Sequence, residues 1–487
     1  MTFTTLTFLI FLALVFVAYW SCGHWKVQNV ILVVASYAFY GWWDYRFCGL
    51  MLASSLFDYS AALAVHKLSH RPARRVIFVL SLAANLGLLG FFKYHDFFAD
   101  NFRVLAESLG WTVHFSTLRV VLPVGISFYT FQSMSYVIDV YRGQLRPTAR
   151  LLEYLAYVSF FPQLVAGPIE RGTHLLPQFL RTRTFEYDQA ADGCRQMLWG
   201  FFKKMVIADN LAPLVNPIFA NAAGAEGGAL AVATIFFAFQ IYCDFSAYSD
   251  IAVGTARLFG FELMRNFALP YFAQSPGEFW RRWHISLTTW FRDYVYVPLG
   301  GARVAPGRGA FNILLTFVLS GFWHGASWTF IIWGLLHGIS VAVERLICKH
   351  TPRKVTDTPG GEAWLPSPRT LLNMALTFGL ICVGWIFFRA STTGEALLIL
   401  KKAGLSLLTL DPVPWALALT EDSPLGWGIL VLLPGLVVIE WITRRRPHPL
   451  YLPGWPRPLR WAGYLGLIAV ILWAGTFSNV EFIYFQF

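Results

Sequence analysis

Apolar runs near residues 4–20, 27–43, 47–65, 76–92, 118–138, 228–243, 370–388, 425–443 and 461–477 set the terms on which this chain can fold. Most approach the roughly 20 residues that an α-helix needs to cross about 30 Å of hydrocarbon. Lipid, rather than water, is therefore the solvent for most of the sequence. In lipid every backbone N–H and C=O must be paired internally, and runs of this length satisfy that as helices. Composition agrees: 56% of the 487 residues are apolar and 13% are charged, against about 25% charged in ordinary soluble proteins. A soluble multi-domain chain and a largely disordered one are both excluded. The expected fold is an all-α polytopic membrane protein, and its 17% aromatic content with 20 Trp suits many membrane interfaces.

The net charge of +11 would suggest nucleic acid in a soluble protein. Here the basic residues gather in short segments between apolar runs, as cytoplasmic Lys/Arg do when they orient spans. Nucleic acid is not an expected partner; membrane lipid is. Lys67, Arg71, Arg74 and Arg75 follow the third run, and Arg142, Arg146 and Arg150 follow the fifth, so both segments should be cytoplasmic. Threading from there puts the N-terminus outside, Lys26 inside and residues 93–117 outside. Later, Lys349, Arg353 and Lys354, then Arg444, Arg445 and Arg446, fall inside, residues 389–424 outside, and the C-terminus outside. The six cysteines show no CxxC spacing, which supports neither a metal site nor a disulfide framework. The first residues lack the positive region of a signal peptide and read as a retained first span.

Residues 1–150 and 346–487 read as N- and C-terminal transmembrane helices. Residues 151–345 differ, because Pro, Gly and charged residues interrupt their apolar stretches. Re-entrant or interfacial helices fit this middle better than simple spans. Irregular backbone at membrane depth is tolerated only when buried in protein or lining a wet cavity, so a site belongs here. No internal repeat is evident, which counts against transporters built from duplicated halves.

Within the middle, Ser320-Gly321-Phe322-Trp323-His324-Gly325-Ala326 places a histidine between two Trp/Leu-rich arms. The arm at 310–323 would span only about 21 Å as helix, so His324 is expected at membrane depth. An ionisable residue there is a functional candidate by default, and imidazole exchanges protons near neutral pH. The plainer reading is a histidine that satisfies a neighbouring backbone group. Gly321 and Gly325 permit close backbone approach by a ligand or by another helix. His337 lies 13 residues on, about 140° off the face of His324 on one continuous helix. The two converge only if the chain bends between them.

Upstream, residues 278–294 carry Arg281, Arg282, Trp283 and His284 among further aromatics. They fit an amphipathic helix at the cytoplasmic interface whose guanidinium groups bind phosphates, or an ordinary aromatic belt with positive-inside arginines. Asp244 and Asp250 end an apolar run; they either orient a basic group or mark the wet end of a span. No GxSxG, HExxH or Walker spacing is present.

Taken together, Phe161-Pro162-Gln163-Leu164-Val165-Ala166-Gly167-Pro168-Ile169, Asp244-Phe245-Ser246-Ala247-Tyr248-Ser249-Asp250, Phe279-Trp280-Arg281-Arg282-Trp283-His284-Ile285-Ser286, Trp323-His324-Gly325 and Trp333-Gly334-Leu335-Leu336-His337-Gly338 resemble the membrane-bound O-acyltransferases in order and spacing. The resemblance covers nearly the whole chain, from Val27-Gln28-Asn29 to the aromatic tail at 482–487, and is greatest to the bacterial branch that acetylates alginate.

It implies a core of short, broken and re-entrant helices around a central tunnel, in a bacterial inner-membrane protein. It also implies acetyl-CoA as cytoplasmic donor, with no bound cofactor, an exported polysaccharide as acceptor, and a separate periplasmic SGNH-type acetyltransferase or esterase as partner. His324 matches the signature histidine, with the role of general base, and His337 the second histidine. Asp244 and Asn312 are alternative equivalents of an upstream Asp or Asn, and Arg281 and Arg282 suit the donor phosphates. Peptidoglycan, cellulose or another exopolysaccharide could replace alginate. A transporter or flippase for a lipid-linked glycan, or a scaffold without catalysis, would also use parts of this pattern.

Overall fold

A computed structural model describes residues 1–111, 121–347, 358–409, 428–477 and 482–483. All regular structure among them is helical. The chain divides into two compact units, residues 1–190 with 255–264, and residues 191–254 with those from 265 onward.

The first unit opens with α1 (Leu6–Trp20), α2 (Trp25–Asp44), α3 (Arg46–Lys67) and α4 (Arg71–Leu89); a π-helical turn at Gly90–Tyr94 carries α4 into α5 (His95–Ser108). Next come α6 (Ile126–Tyr141), α7 (Leu151–Ser159), the single turn α8 (Phe161–Leu164) and α9 (Gly172–Phe179). The Arg150 guanidinium lies over the Trp25 ring and that of Arg74 over Tyr141, so the basic segments at Lys26, Arg74 and Arg150 share one end. At the other end, the Tyr40 hydroxyl donates to the Val124 carbonyl at 2.9 Å and Phe47 meets Phe92. The alternation is that of the threaded spans. One polar contact lies at mid-bundle: Asp58 of α3 accepts from Ser81 and Asn85 of α4, each at 2.8 Å.

The Phe161–Ile169 motif is a buried turn that opens with the single-turn helix α8. Gln132 and Gln163 donate to the same Tyr157 carbonyl, at 2.7 and 3.1 Å. Gly125, at φ +75°, passes so close that a Cβ there would lie 2.8 Å from the Leu164 carbonyl oxygen.

The second unit is built on α10 (Tyr187–Phe201), a π-helical stretch Phe202–Ala208, α11 (Asp209–Ala220) and α12 (Gly227–Leu258). At 32 residues, or about 48 Å, α12 outruns a bilayer core, and Asp244 and Asp250 lie within it rather than at the end of a span. The short α13 (Pro276–Arg282) and α14 (Ile285–Phe291) precede a long hairpin, α15 (Pro306–His324) and α16 (Trp328–Ile347). Then follow α17 (Pro368–Arg389), α18 (Thr393–Thr409), α19 (Ile429–Thr443) and α20 (Arg457–Ala474). Among the described residues, five helices are long and apolar enough to cross a membrane: Arg46–Lys67, Arg71–Ser108, Gly227–Leu258, Trp328–Ile347 and Pro368–Arg389. Leu6–Trp20 and Ile429–Thr443 are apolar but shorter.

Two expectations change. The arm before His324 is a 19-residue helix, not a 14-residue one, because Pro306 sits in its first turn, where proline's fixed φ and missing N–H are harmless. Its length of about 28 Å nearly spans a core, so the burial of His324 comes from its packing rather than from a short arm. Residues 278–294 are not one amphipathic helix but two short ones, broken at Trp283-His284. The basic loop at Lys349, Arg353 and Lys354 lies outside the described residues.

Candidate active site

The α15–α16 hairpin is closed by glycine. A Cβ on Gly321 would sit 2.2 Å from the Phe330 carbonyl oxygen, and one on Gly334 would sit 2.3 Å from that of Phe317. Both distances are far inside contact, so these glycines let two backbones touch, as small residues do between membrane helices. Gly321→Ala is therefore expected to destabilise by at least about 1–3 kcal/mol through overpacking, read as a lower thermal midpoint in detergent.

Between the arms the chain turns at Gly325, which is extended at φ −164°, and Ser327 Oγ accepts from the Thr329 N–H at 3.3 Å. This is the bend that the two histidines required. Both rings meet the edge or face of one indole: His324 lies 4.9 Å from Trp333 and His337 5.0 Å from it, centroid to centroid. His324 also packs on Phe388 at 5.4 Å and is 5% exposed.

His337 is enclosed more tightly. Trp280 covers it at 5.0 Å, and its Nε2 lies where a Cβ on Gly384 would come within 2.5 Å. Among the described residues neither ring nitrogen of His337 has a hydrogen-bond partner. A buried imidazole without a partner is costly, which makes His337 a candidate site residue.

The segment before the hairpin lies against the same wall. Ser275 caps α13, its Oγ accepting from the Glu278 N–H at 3.2 Å. Glu278 in turn holds buried Arg282 at 2.8 Å. Trp283 stacks on Phe279 at 5.5 Å and meets Trp385 at 4.9 Å. His284 takes up the left-handed conformation at φ +43°, uncommon for a residue with a side chain, and its ring meets Phe245 at 4.6 Å. Of the four residues Arg281, Arg282, Trp283 and His284, only Arg281 is exposed.

Asp244 belongs to an ionic cluster. The π-helical stretch turns Lys203 and Lys204 inward together. Lys204 Nζ is 2.8 Å from both Asp209 and Asp244, and the second Asp244 oxygen accepts from the Ile483 N–H at 2.7 Å. Lys203 pairs with Asp250 at 2.7 Å and donates to Ser246. Nearby, Tyr242 donates to Glu440 at 2.7 Å. Of the two readings of Asp244, orienting a basic group is the one this geometry matches.

Asn312 is buried on α15, its amide donating to the Leu299 carbonyl at 2.9 Å. It lies twelve residues before His324 on the same helix, about 18 Å along the axis, too far for a hydrogen bond. Gly338 packs on Leu314, so Asn312 is level with the part of α16 just beyond His337.

Residues 144–387 match the family described as MBOAT, membrane-bound O-acyltransferase family. A protein of Azotobacter vinelandii named "Probable alginate O-acetylase AlgI" is 41% identical over 400 residues, covering 81% of this chain and 76% of that protein. A "Peptidoglycan O-acetyltransferase" of Helicobacter pylori is 39% identical, over 76% of this chain and 72% of its own. A "Teichoic acid D-alanyltransferase" of Streptococcus thermophilus is 28% identical, over 57% and 75%.

Proposed function

Since this chain belongs to the membrane-bound O-acyltransferase family, and is thereby a multi-pass membrane acyltransferase, we propose that it takes acetyl groups from cytoplasmic acetyl-CoA and passes them across the bacterial inner membrane. The acceptor is an exported polysaccharide, alginate first. The observation that carries the reading is the pair of buried histidines on Trp333 inside the family-matched segment.

Neutral His324 removes the proton of the attacking hydroxyl while that oxygen bonds to the thioester carbonyl carbon. The carbon–sulfur bond then breaks, and the imidazolium returns the proton to the leaving thiolate. His337, across the indole, keeps a second imidazole in the same apolar box. A water-poor surround favours this chemistry, because hydrolysis of the thioester is suppressed. Arg281, which is exposed, is the guanidinium proposed to meet the donor's phosphates, whereas Arg282 is committed to Glu278. Asp244 and Asn312 then support the fold around the pair. The threaded topology gives both termini a periplasmic position, and the acetyl group is handed to a periplasmic SGNH-type partner that finishes delivery.

Acetyl is favoured over D-alanyl because the relatives named for acetylation share 39–41% identity, against 28% for the one named for D-alanylation. Peptidoglycan is the second acceptor, on the strength of the Helicobacter pylori relative. The test incubates membranes containing the chain and its partner with labelled acetyl-CoA and alginate, peptidoglycan or cellulose. Label on alginate alone is the expected result. Label on peptidoglycan alone moves the acceptor; transport of a lipid-linked glycan without acetyl transfer overturns the reading.

A further inference from the structure

We propose that Glu344 is a positioning residue for the buried histidine pair, acting through α13 and Trp280; this rests on the reading of the pair as the acyl-transfer site. Glu344 and His337 are seven residues apart on α16, two turns, and so lie on nearly the same face. Both are directed at α13, and each touches a different part of it.

The Glu344 carboxylate is built into the start of that helix. One oxygen accepts from Ser275 Oγ at 2.7 Å and the other from the Gly277 N–H, also at 2.7 Å. The fit is close: a Cβ on Gly277 would lie 3.0 Å from the carboxylate, so any side chain there would press on Glu344. Ser275 also caps α13 through the Glu278 N–H, so the carboxylate and the cap form one hydrogen-bonded unit. One turn further along α13, Trp280 meets His337 at 5.0 Å, Trp333 at 5.4 Å and Phe317 at 5.3 Å.

A closed circuit results. From His337 it runs along α16 to Glu344, across to Ser275 and Gly277, along α13 to Trp280, and back to His337. The opposite side of the ring is limited by Gly384. An imidazole so confined by packing, among the described residues without a hydrogen bond of its own, owes its orientation to its walls. The Trp280 wall is fixed in turn by the two hydrogen bonds that the Glu344 carboxylate accepts at the start of α13.

The test uses the purified chain in lipid nanodiscs, supplied with labelled acetyl-CoA, the periplasmic partner and the polysaccharide acceptor. Glu344→Ala is expected to lower the acetyl-transfer rate per folded molecule about 10- to 100-fold, the scale of an ångström-sized misplacement near reacting groups. In a Trp280→Ala background the same change should lower it by less than about twofold, because residues acting in series are not additive. A second readout is independent of activity: diethylpyrocarbonate modification of His337, located by mass spectrometry. His337 should be protected in the parent and reactive in Glu344→Ala, with half-exposed His174 reacting equally in both as a control for folding. Ser275→Ala, which removes one of the two donors, should move both readouts in the same direction by less, and serves if Glu344→Ala does not fold.

Additive losses in the double variant, or His337 protection unchanged in Glu344→Ala, overturn the proposal. A parent protein that transfers no acetyl group instead sinks the proposed function, and His337 protection then decides the role of Glu344 by itself.

Discussion

In His324→Ala, acetyl transfer from acetyl-CoA is expected to fall about 10²- to 10⁴-fold, the range that one positioned proton-transfer group contributes. Truncation also removes a ring packed on Trp333 and Phe388, so some loss of stability accompanies it, as for other large-to-small changes in a core. The two effects separate in His324→Gln. Glutamine restores most of the bulk and can still accept a hydrogen bond, but it takes no proton near neutral pH. The expected result is a thermal midpoint closer to that of the parent and a rate as low as in the alanine variant. Both are measured on the same monodisperse preparation, with rates expressed per folded molecule. A glutamine variant with near-parent activity would show that the imidazole orients or packs rather than exchanging protons.

The largest loss of stability is expected at Lys204, not at either histidine. Lys204 Nζ stands between Asp209 and Asp244, 2.8 Å from each, and all three side chains are buried. Lys204→Met leaves two carboxylates together with no cation, and removing one partner from a buried ion pair costs about 3–5 kcal/mol. Adding Asp209→Asn to Lys204→Met should recover part of that loss, since one of the two unpaired charges is gone. Replacing a whole buried ionic group with apolar residues is often neutral, so the penalty belongs to the broken pair rather than to the absence of charge. Thermal unfolding followed by size-exclusion chromatography in detergent checks the order parent, double variant, single variant. Asp244 also accepts from the Ile483 N–H, so the single variant should make the chain more readily cleaved at Ile483 as well.

Much of this was legible in the sequence, for a physical reason. The solvent of each segment is written locally: where they are described, the apolar runs fell mainly on helices, and the alternation of basic segments matched the shared helix ends at Trp25 with Arg150 and Arg74 with Tyr141. Helical periodicity set the condition that the two histidines converge only through a bend, and the chain turns at Gly325, a glycine the sequence marked only for close backbone approach. Partners distant in the chain were not legible. Lys204 finds Asp244 forty residues away, and Glu344 finds Ser275 and Gly277 on another helix. Neither spacing has a local period.

The π-helical stretch that turns Lys203 and Lys204 inward together left no signal in hydropathy. Arg281 and Arg282 look equivalent as neighbours, yet consecutive helical residues point about 100° apart, and the structure exposes one and buries the other. Here a signal did exist. Glu278 stands four residues before Arg282, the spacing of a helical ion pair, and it identifies the arginine that is already engaged. Similarly, Asp58 and Glu440 lie within apolar runs, where a lone carboxylate needs a partner; each has one in the structure.

The central claim is that one chain moves an acetyl group from a donor on one face of the membrane to an acceptor on the other, through the buried histidine pair. Sealed inside-out vesicles test it most directly, with labelled acetyl-CoA outside, the partner and polysaccharide enclosed, and no nucleotide triphosphate present. The expected result is label on the enclosed polysaccharide, no entry of coenzyme A, and loss of the label in His324→Gln. Label confined to the outer face, or transfer undiminished in His324→Gln, would contradict it.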